Sequence, residues 1–145
     1  MKEAGEAQEA KVAPEEKEPL PERKPIRRYD DLLVYRQALR LALEVSPLTR
    51  GFPRQEQYEL GRQMRASSRS IAANIVEGWA KRHSAAEFKR HLQISIGESE
   101  ETKFWLDLAR AEDCVAREQC EPVQAEYAKL GMLLHNLWNA WKKLP

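Results

Sequence analysis

At 145 residues the chain is long enough for one domain, or a smaller domain and a tail; its 24 Lys/Arg against 23 Asp/Glu leave a formal charge of +1, so bulk charge names no partner. The 32% charged residues, 8% aromatics and six glycines suit a soluble, helix-rich protein and exclude collagen-like and low-complexity classes. No apolar run approaches the roughly 18 residues of a membrane span, and the opening MKEAGEAQEA lacks the apolar stretch of a secretory signal. A cytoplasmic protein with no membrane partner is the expectation.

Residues 1–28 carry four of the eight prolines and equal numbers, seven each, of basic and acidic side chains, with few apolar ones. Such a stretch buries too little surface to offset its ordering entropy. It reads as a disordered tail, or as an arm that orders on a partner, preceding a folded unit over 29–145. Asp30 or Asp31 then caps a first helix reaching about Thr49, with Leu32, Tyr35, Leu39, Ala42 and Val45 on its inward face. Pro47 should kink or tighten the last turn, Gly51 fits the stop, and Pro53 fits the first turn of the next helix.

A second helix is expected over about 54–81, with Leu60, Met64, Ser67, Ile71, Ile75 and Gly78 on one narrow face. Ser84 to Glu87 has the form of a capping box and opens a third helix to about Glu112. Its inward stripe is Phe88, Leu92, Ser95, Ser99, Leu106 and Ala109, with Ile96 and Thr102 alongside. A fourth helix begins between Arg117 and Pro122 and carries Val123, Leu130, Leu133, Leu134, Leu137 and Trp141. No run alternates with period two for long enough to make a strand. The pattern is therefore all-α, an antiparallel up-and-down four-helix bundle.

Most catalytic signatures are absent. The glycines are too scattered for a P-loop or a dinucleotide fingerprint. Gly97-Glu98-Ser99 is followed by Glu101 where a nucleophile elbow needs glycine. A di-iron bundle needs Glu-x-x-His on two helices, whereas Ala80, Phe88 and Met132 stand three residues before His83, His91 and His135. Glu87 and His91 share a face at i, i+4, which reads as a surface hydrogen bond or ion pair rather than a metal site. Cys114 and Cys120 are too few for a disulfide framework or a four-ligand zinc site and read as ordinary thiols. We expect no catalytic residue, no metal, no cofactor and no enzyme.

Charge is nevertheless uneven. Residues 50–91 carry nine Lys/Arg against four Glu, and residues 98–126 carry nine Asp/Glu against three Lys/Arg. Arg62, Arg65 and Arg69 fall within about 60° of one another, opposite the Leu60–Ile71–Ile75 stripe. Such a row, continued by Lys81 and Arg82, can meet phosphates, the acidic block of a partner subunit, or solvent. Ala72, Val76 and Trp79 extend the same face with small and apolar side chains, which suits an oligomer or partner interface. Trp138 and Trp141 cannot both point at one core; followed by Lys142 and Lys143, they fit base stacking or simply cations at a helix C-terminus. Asn74, Glu77 and Glu101 lie near apolar faces and suit polar groups that set bundle register.

Tyr29-Asp30-Asp31-Leu32, Gly51-Phe52-Pro53, Gln63-Met64-Arg65 and above all Ser70-Ile71-Ala72-Ala73-Asn74-Ile75-Val76-Glu77-Gly78 resemble the 23S rRNA intervening-sequence proteins. Phe88, Leu92, Ile94-Ser95-Ile96-Gly97 and Glu101 continue the match, over roughly residues 29–143. Members often have proline at Ala72 and serine at Glu98. The resemblance marks Asn74, Glu77, Gly78, Gly97 and Glu101 as motif positions and implies an up-and-down bundle assembled into a homo-oligomeric, pentameric ring. A similar group, the accessory variability determinants (Avd) of diversity-generating retroelements, implies a reverse transcriptase and RNA or DNA as partners. The expected function is a non-enzymatic accessory protein of nucleic acid or a ribonucleoprotein, through Arg62, Arg65, Arg69, Lys81 and Arg82. The alternative is a protein-only oligomeric scaffold.

Overall fold

The computed structural model describes residues 25–141; the expected tail and Lys142 and Lys143 fall largely or wholly outside them. A 3-10 turn at Tyr29–Asp31 is followed by α1 (Leu33–Arg50), a single-turn α2 (Arg54–Tyr58), α3 (Leu60–Ala80), α4 (Ala85–Ala111) and α5 (Arg117–Ala140). The described residues contain four long helices and no strand. Around the bundle, α3 lies between α1 and α4, α4 packs on α5, and α5 closes back on α1.

Pairing distances show the direction of the helices. Ser67 Oγ meets Thr102 Oγ1 at 2.7 Å, Ser95 Oγ donates to the Ile71 carbonyl at 3.0 Å, and His91 Nδ1 meets Asn74 Oδ1 at 3.1 Å. As α3 advances its partner on α4 recedes, so the two run antiparallel. Cys120 Sγ to Leu106 O and Ser99 Oγ to Tyr127 O show the same for α4 and α5.

The expected stripe of the second helix is buried in full: Leu60, Met64, Ser67, Ile71, Ile75 and Gly78. On α4, Phe88, Leu92, Ser95, Ser99, Thr102, Leu106 and Ala109 are buried and Ile96 is half-buried. Leu130 and Leu134 of α5 are buried, while Val123, Leu133, Leu137 and Trp141 are half-buried against them. The core mixes aliphatic residues with Ser67, Ser95, Ser99 and Thr102, whose small hydroxyls bond within the bundle and let the helices approach.

Three local expectations are corrected. Of the expected α1 face, Leu32, Ala42 and Val45 are buried and Tyr35 packs against the core, but Leu39 is 41% exposed, and Val34, Ala38, Leu41 and Thr49 complete the buried face. Leu32 is the extended residue before the helix rather than part of its first turn, so a stripe phased on it starts out of step. Asp31 does cap, but it caps the 3-10 turn: its Oδ2 accepts the Arg27 and Arg28 amides at 2.9 and 3.0 Å. The second helix is interrupted at Glu59, whose φ −90°, ψ −85° separates α2 from α3. In exchange, Gln57 Nε2 reaches back to the Arg50 and Phe52 carbonyls at 3.0 and 2.9 Å, satisfying the end of α1.

Two further signals hold in reduced form. Ser84 Oγ accepts the Glu87 amide at 3.2 Å, whereas the Glu87 carboxylate turns to Arg90. Pro47 lies in the last turn of α1 without ending it. Gly78 separates steric need from accident. A Cβ there would stand 2.8 Å from His91 Cβ and 3.1 Å from Phe88 Cδ2, but at Gly131 it would meet nothing within 4 Å. Gly78→Ala should therefore destabilise by about 1–3 kcal/mol through overpacking. Gly131→Ala should stabilise by about 0.5–1 kcal/mol through helix propensity. Urea unfolding of the two variants reads the difference in sign.

Candidate nucleic-acid interface

The arginine row divides. Arg62 and Arg69 are exposed and make no ion pair among the described residues. Arg65 is half-buried and turned into its own bundle: Nη1 donates to Thr49 Oγ1 at 2.9 Å and Nη2 to the Gln57 carbonyl at 3.1 Å. Gly61 makes room for it, since a Cβ there would lie 2.9 Å from Arg65 Nη1. Arg65 thus ties α1, α2 and α3 together, and its planar fork suits two acceptors on different elements. Nothing in the 3.6-residue period could separate it from Arg62 and Arg69, because Thr49 and Gln57 come from elsewhere in the chain.

Trp79 is also turned inward, at 6% exposure, packed edge-on against Phe88 and Trp141 with centroids 6.3 and 6.2 Å away. It belongs to the core of its own bundle, which removes it from a free interface. Ala72 is half-buried against the core and Val76 is half-buried. Trp138 is half-buried, with Lys89 Nζ 4.5 Å above its ring. Arg82 lies 4.6 Å over the Trp79 ring and donates to the Trp79 carbonyl at 3.1 Å. The α3–α4 end of the bundle is therefore an aromatic plug with cations laid on its outer surface.

Asn74, Glu77 and Gly78 converge on His91, a residue expected at the surface. His91 is buried at 3% exposure. Asn74 Nδ2 donates to the Ser70 carbonyl and hydroxyl at 3.0 and 3.1 Å, so its Oδ1 is the acceptor that His91 Nδ1–H meets. Glu77 Oε2 stands 3.6 Å from the same nitrogen, and Gly78 lets the α4 backbone come close. The other ring nitrogen, Nε2, is left as an acceptor facing Lys81 Nζ at 3.3 Å and Arg90 Nη2 at 3.4 Å. Burial first, then Lys81 and Arg90, push the imidazole below its ordinary value; Glu77 and Glu87 oppose them. The expected Glu87–His91 surface pair is not what forms: Glu87 pairs with Arg90 at 3.2 Å.

The remaining motif positions lie on α4. Gly97 is exposed and has open space where a Cβ would go, so no contact within the chain requires glycine there. Glu101 is exposed and accepts Trp105 Nε1–H at 3.1 Å. Its charge, after burial, holds the Glu98 carboxyl above its usual range. Beyond Trp105 an open cleft of about 410 Å³ is lined by Glu56, Glu59, Leu60, Gln63, Leu108 and Glu112, among others. Cys114 and Cys120 are buried thiols whose pKa values burial raises. Among the described residues no group of three His, Cys, Asp or Glu could hold a metal ion. No helix of the described residues is long and apolar enough to cross a membrane.

The family described as 23S rRNA-intervening sequence protein matches residues 30–136, from the 3-10 turn to the last turns of α5. The chain belongs to this family. The 23S rRNA-intervening sequence protein match takes in Asn74, Glu77, Gly78 and His91 together with Arg62, Arg65 and Arg69, and stops short of Trp138 and Trp141. Among solved structures, a protein of unknown function from the S23 ribosomal protein family of Bacteroides thetaiotaomicron is similar. The two share 28% identity with a TM-score of 0.68, over 74% of this chain and 100% of that one. No curated protein matches the chain.

Two outcomes follow from this geometry. Arg65→Ala should lower stability by about 1–3 kcal/mol, because Thr49 Oγ1 and the Gln57 carbonyl lose a charged donor; urea unfolding measures it. Folded His91 takes up a proton less readily than the unfolded chain. Stability should therefore be level above about pH 6.5 and decline as pH falls below it. Thermal melts between pH 5.5 and 7.5 should show that decline in the parent, and His91→Gln should flatten it.

Proposed function

We propose that this protein is a non-enzymatic, homo-oligomeric accessory factor that binds nucleic acid or a ribonucleoprotein partner such as a retroelement reverse transcriptase, with a pentameric ring as its assembled form. The observation that carries this reading is the pair Arg62 and Arg69. Both are exposed on the side of α3 opposite its buried stripe, and neither is consumed by an ion pair among the described residues. Lys81 and Arg82, at the end of the same helix, extend the cationic surface. Guanidinium groups left to solvent in a chain of near-zero net charge give a local, salt-sensitive hold on phosphates without a strongly basic protein. Within this reading Arg65 positions the helix rather than touching the ligand.

A second reading, a protein-only scaffold, is favoured by a different observation. Leu39 and Leu43 stand exposed one turn apart on α1, and Phe104 is 53% exposed on α4 next to Glu100 and Glu101. An arginine-bearing face of one subunit against an acidic, aromatic face of the next is a heterologous contact of the kind that closes rings.

The charge-reversed pair Arg62→Glu/Arg69→Glu separates the two. Under the leading reading the parent retains single-stranded RNA or DNA at low salt, with a log–log salt slope that drops by about 1.4 on losing two phosphate contacts. The variant keeps its oligomeric mass. If instead light scattering shows the variant falling apart while the parent binds no nucleic acid at any salt, the scaffold reading replaces it.

A further inference from the structure

Two cations crowd one imidazole nitrogen at the α3–α4 turn. Lys81 Nζ and Arg90 Nη2 lie 3.3 and 3.4 Å from His91 Nε2. The tautomer is set from the far side of the ring, where Asn74 Oδ1 requires a donor at Nδ1. Nε2 therefore has a single lone pair for two positively charged donors. Arg90 is met by the Glu87 carboxylate at 3.2 Å, whereas Lys81 makes no ion pair among the described residues, so positive charge around this weak acceptor exceeds its paired anion. The charged groups facing the ring are few. Glu77 of α3 sits at Nδ1, on the side away from the two cations, with its side chain 65% exposed. Glu87 of α4 is the carboxylate on the cationic side. It is held below its usual range by its hydrogen bond to Arg90 first, and then by Arg90, Lys81 and His91 charges.

We propose that Lys81, Arg90 and His91 Nε2 form a binding site for a phosphoryl group. Arginine supplies a planar fork, lysine a mobile point charge, and the ring a third donor once it is protonated. His91 itself is nearly fully buried and held by Asn74, so the third donor is pre-oriented while the two exposed side chains close over the ligand. An arriving oxyanion converts Nε2 from acceptor to donor, and binding takes up a proton. The carboxylate of Glu87 competes for the same cations. The site shares Lys81 with the cationic surface of α3 but uses neither Arg62 nor Arg69. It deepens the nucleic-acid reading, because a nucleic-acid backbone supplies such groups, but inorganic phosphate tests it independently.

The experiment is a titration of full-length protein with inorganic phosphate at constant ionic strength, following the His91 ring nitrogens by NMR between pH 6 and 8, with chloride as the control. A saturable shift at His91 is expected with phosphate and not with chloride, together with a rise of about one unit in its apparent pKa. Affinity should be higher at pH 6 than at pH 8. Lys81→Ala and Arg90→Ala, both at exposed positions, should each weaken binding about tenfold or more. Glu87→Gln should tighten it, and Arg62→Glu/Arg69→Glu should leave it unchanged. No saturable phosphate-specific shift, or one that survives the Lys81→Ala/Arg90→Ala double substitution, overturns the site. A short single-stranded oligonucleotide forms the second arm. If it displaces phosphate from His91, the source is a nucleic-acid backbone. If phosphate binds and the oligonucleotide does not, the site stands and the nucleic-acid reading falls.

Discussion

The close approach of α3 to α4 is the constraint on which the rest of the molecule depends. Three polar contacts, Ser67 to Thr102, Ser95 to Ile71 and His91 to Asn74, step along the seam, and Gly78 ends it with no side chain between the helices. Each involves a buried or half-buried group that would cost free energy if left unpaired, so sliding one helix past the other by a turn would orphan several at once. Buried apolar side chains such as Ile71 and Leu92 hold the helices together but are indifferent to small shifts. The hydroxyls and the imidazole choose the register.

The same seam makes the cationic end of the bundle. Because Gly78 admits α4, Phe88 packs under Trp79 and Trp141, and the α3–α4 turn carries Lys81 and Arg82 around the rim of that plug. Burial of His91 in a slot lined by Asn74 fixes which nitrogen bears the proton, and that choice sets the character of the outer nitrogen. Local structure, packing and protonation are one chain of cause here. The string Asn74-Ile75-Val76-Glu77-Gly78 reads as a cradle for a residue of the next helix, with two apolar positions inside it.

The arginines of a single helix meet different surroundings. Arg65 reaches into α1 and α2 because Gly61 leaves space beside it and Thr49 and Gln57 offer acceptors. Among the described residues Arg62 and Arg69 make no ion pair or side-chain hydrogen bond, and both are exposed. Spacing alone makes the three equivalent. The acidic residues of α4 behave in parallel: Glu101 is drawn to Trp105 Nε1, and Glu98 is half-buried beside it, so part of the acidic block is occupied within the chain.

Apolar spacing in the sequence was enough to establish the four long helices, their order and the buried faces of α3 and α4, because a stripe at 3.6-residue spacing has one stable place, against its neighbours. The family string was equally legible. Tertiary structure alone decided the phase of the α1 stripe, the interruption at Glu59, the inward turn of Arg65 and Trp79, and the burial of His91. Each depends on which distant group lies opposite: Leu32 before the helix, the carbonyls at the end of α1, Thr49, the aromatic pair Phe88 and Trp141, and the Asn74 amide. Periodicity describes one helix about its own axis, whereas these outcomes are set by contacts between helices, and no single helix records what stands across from it.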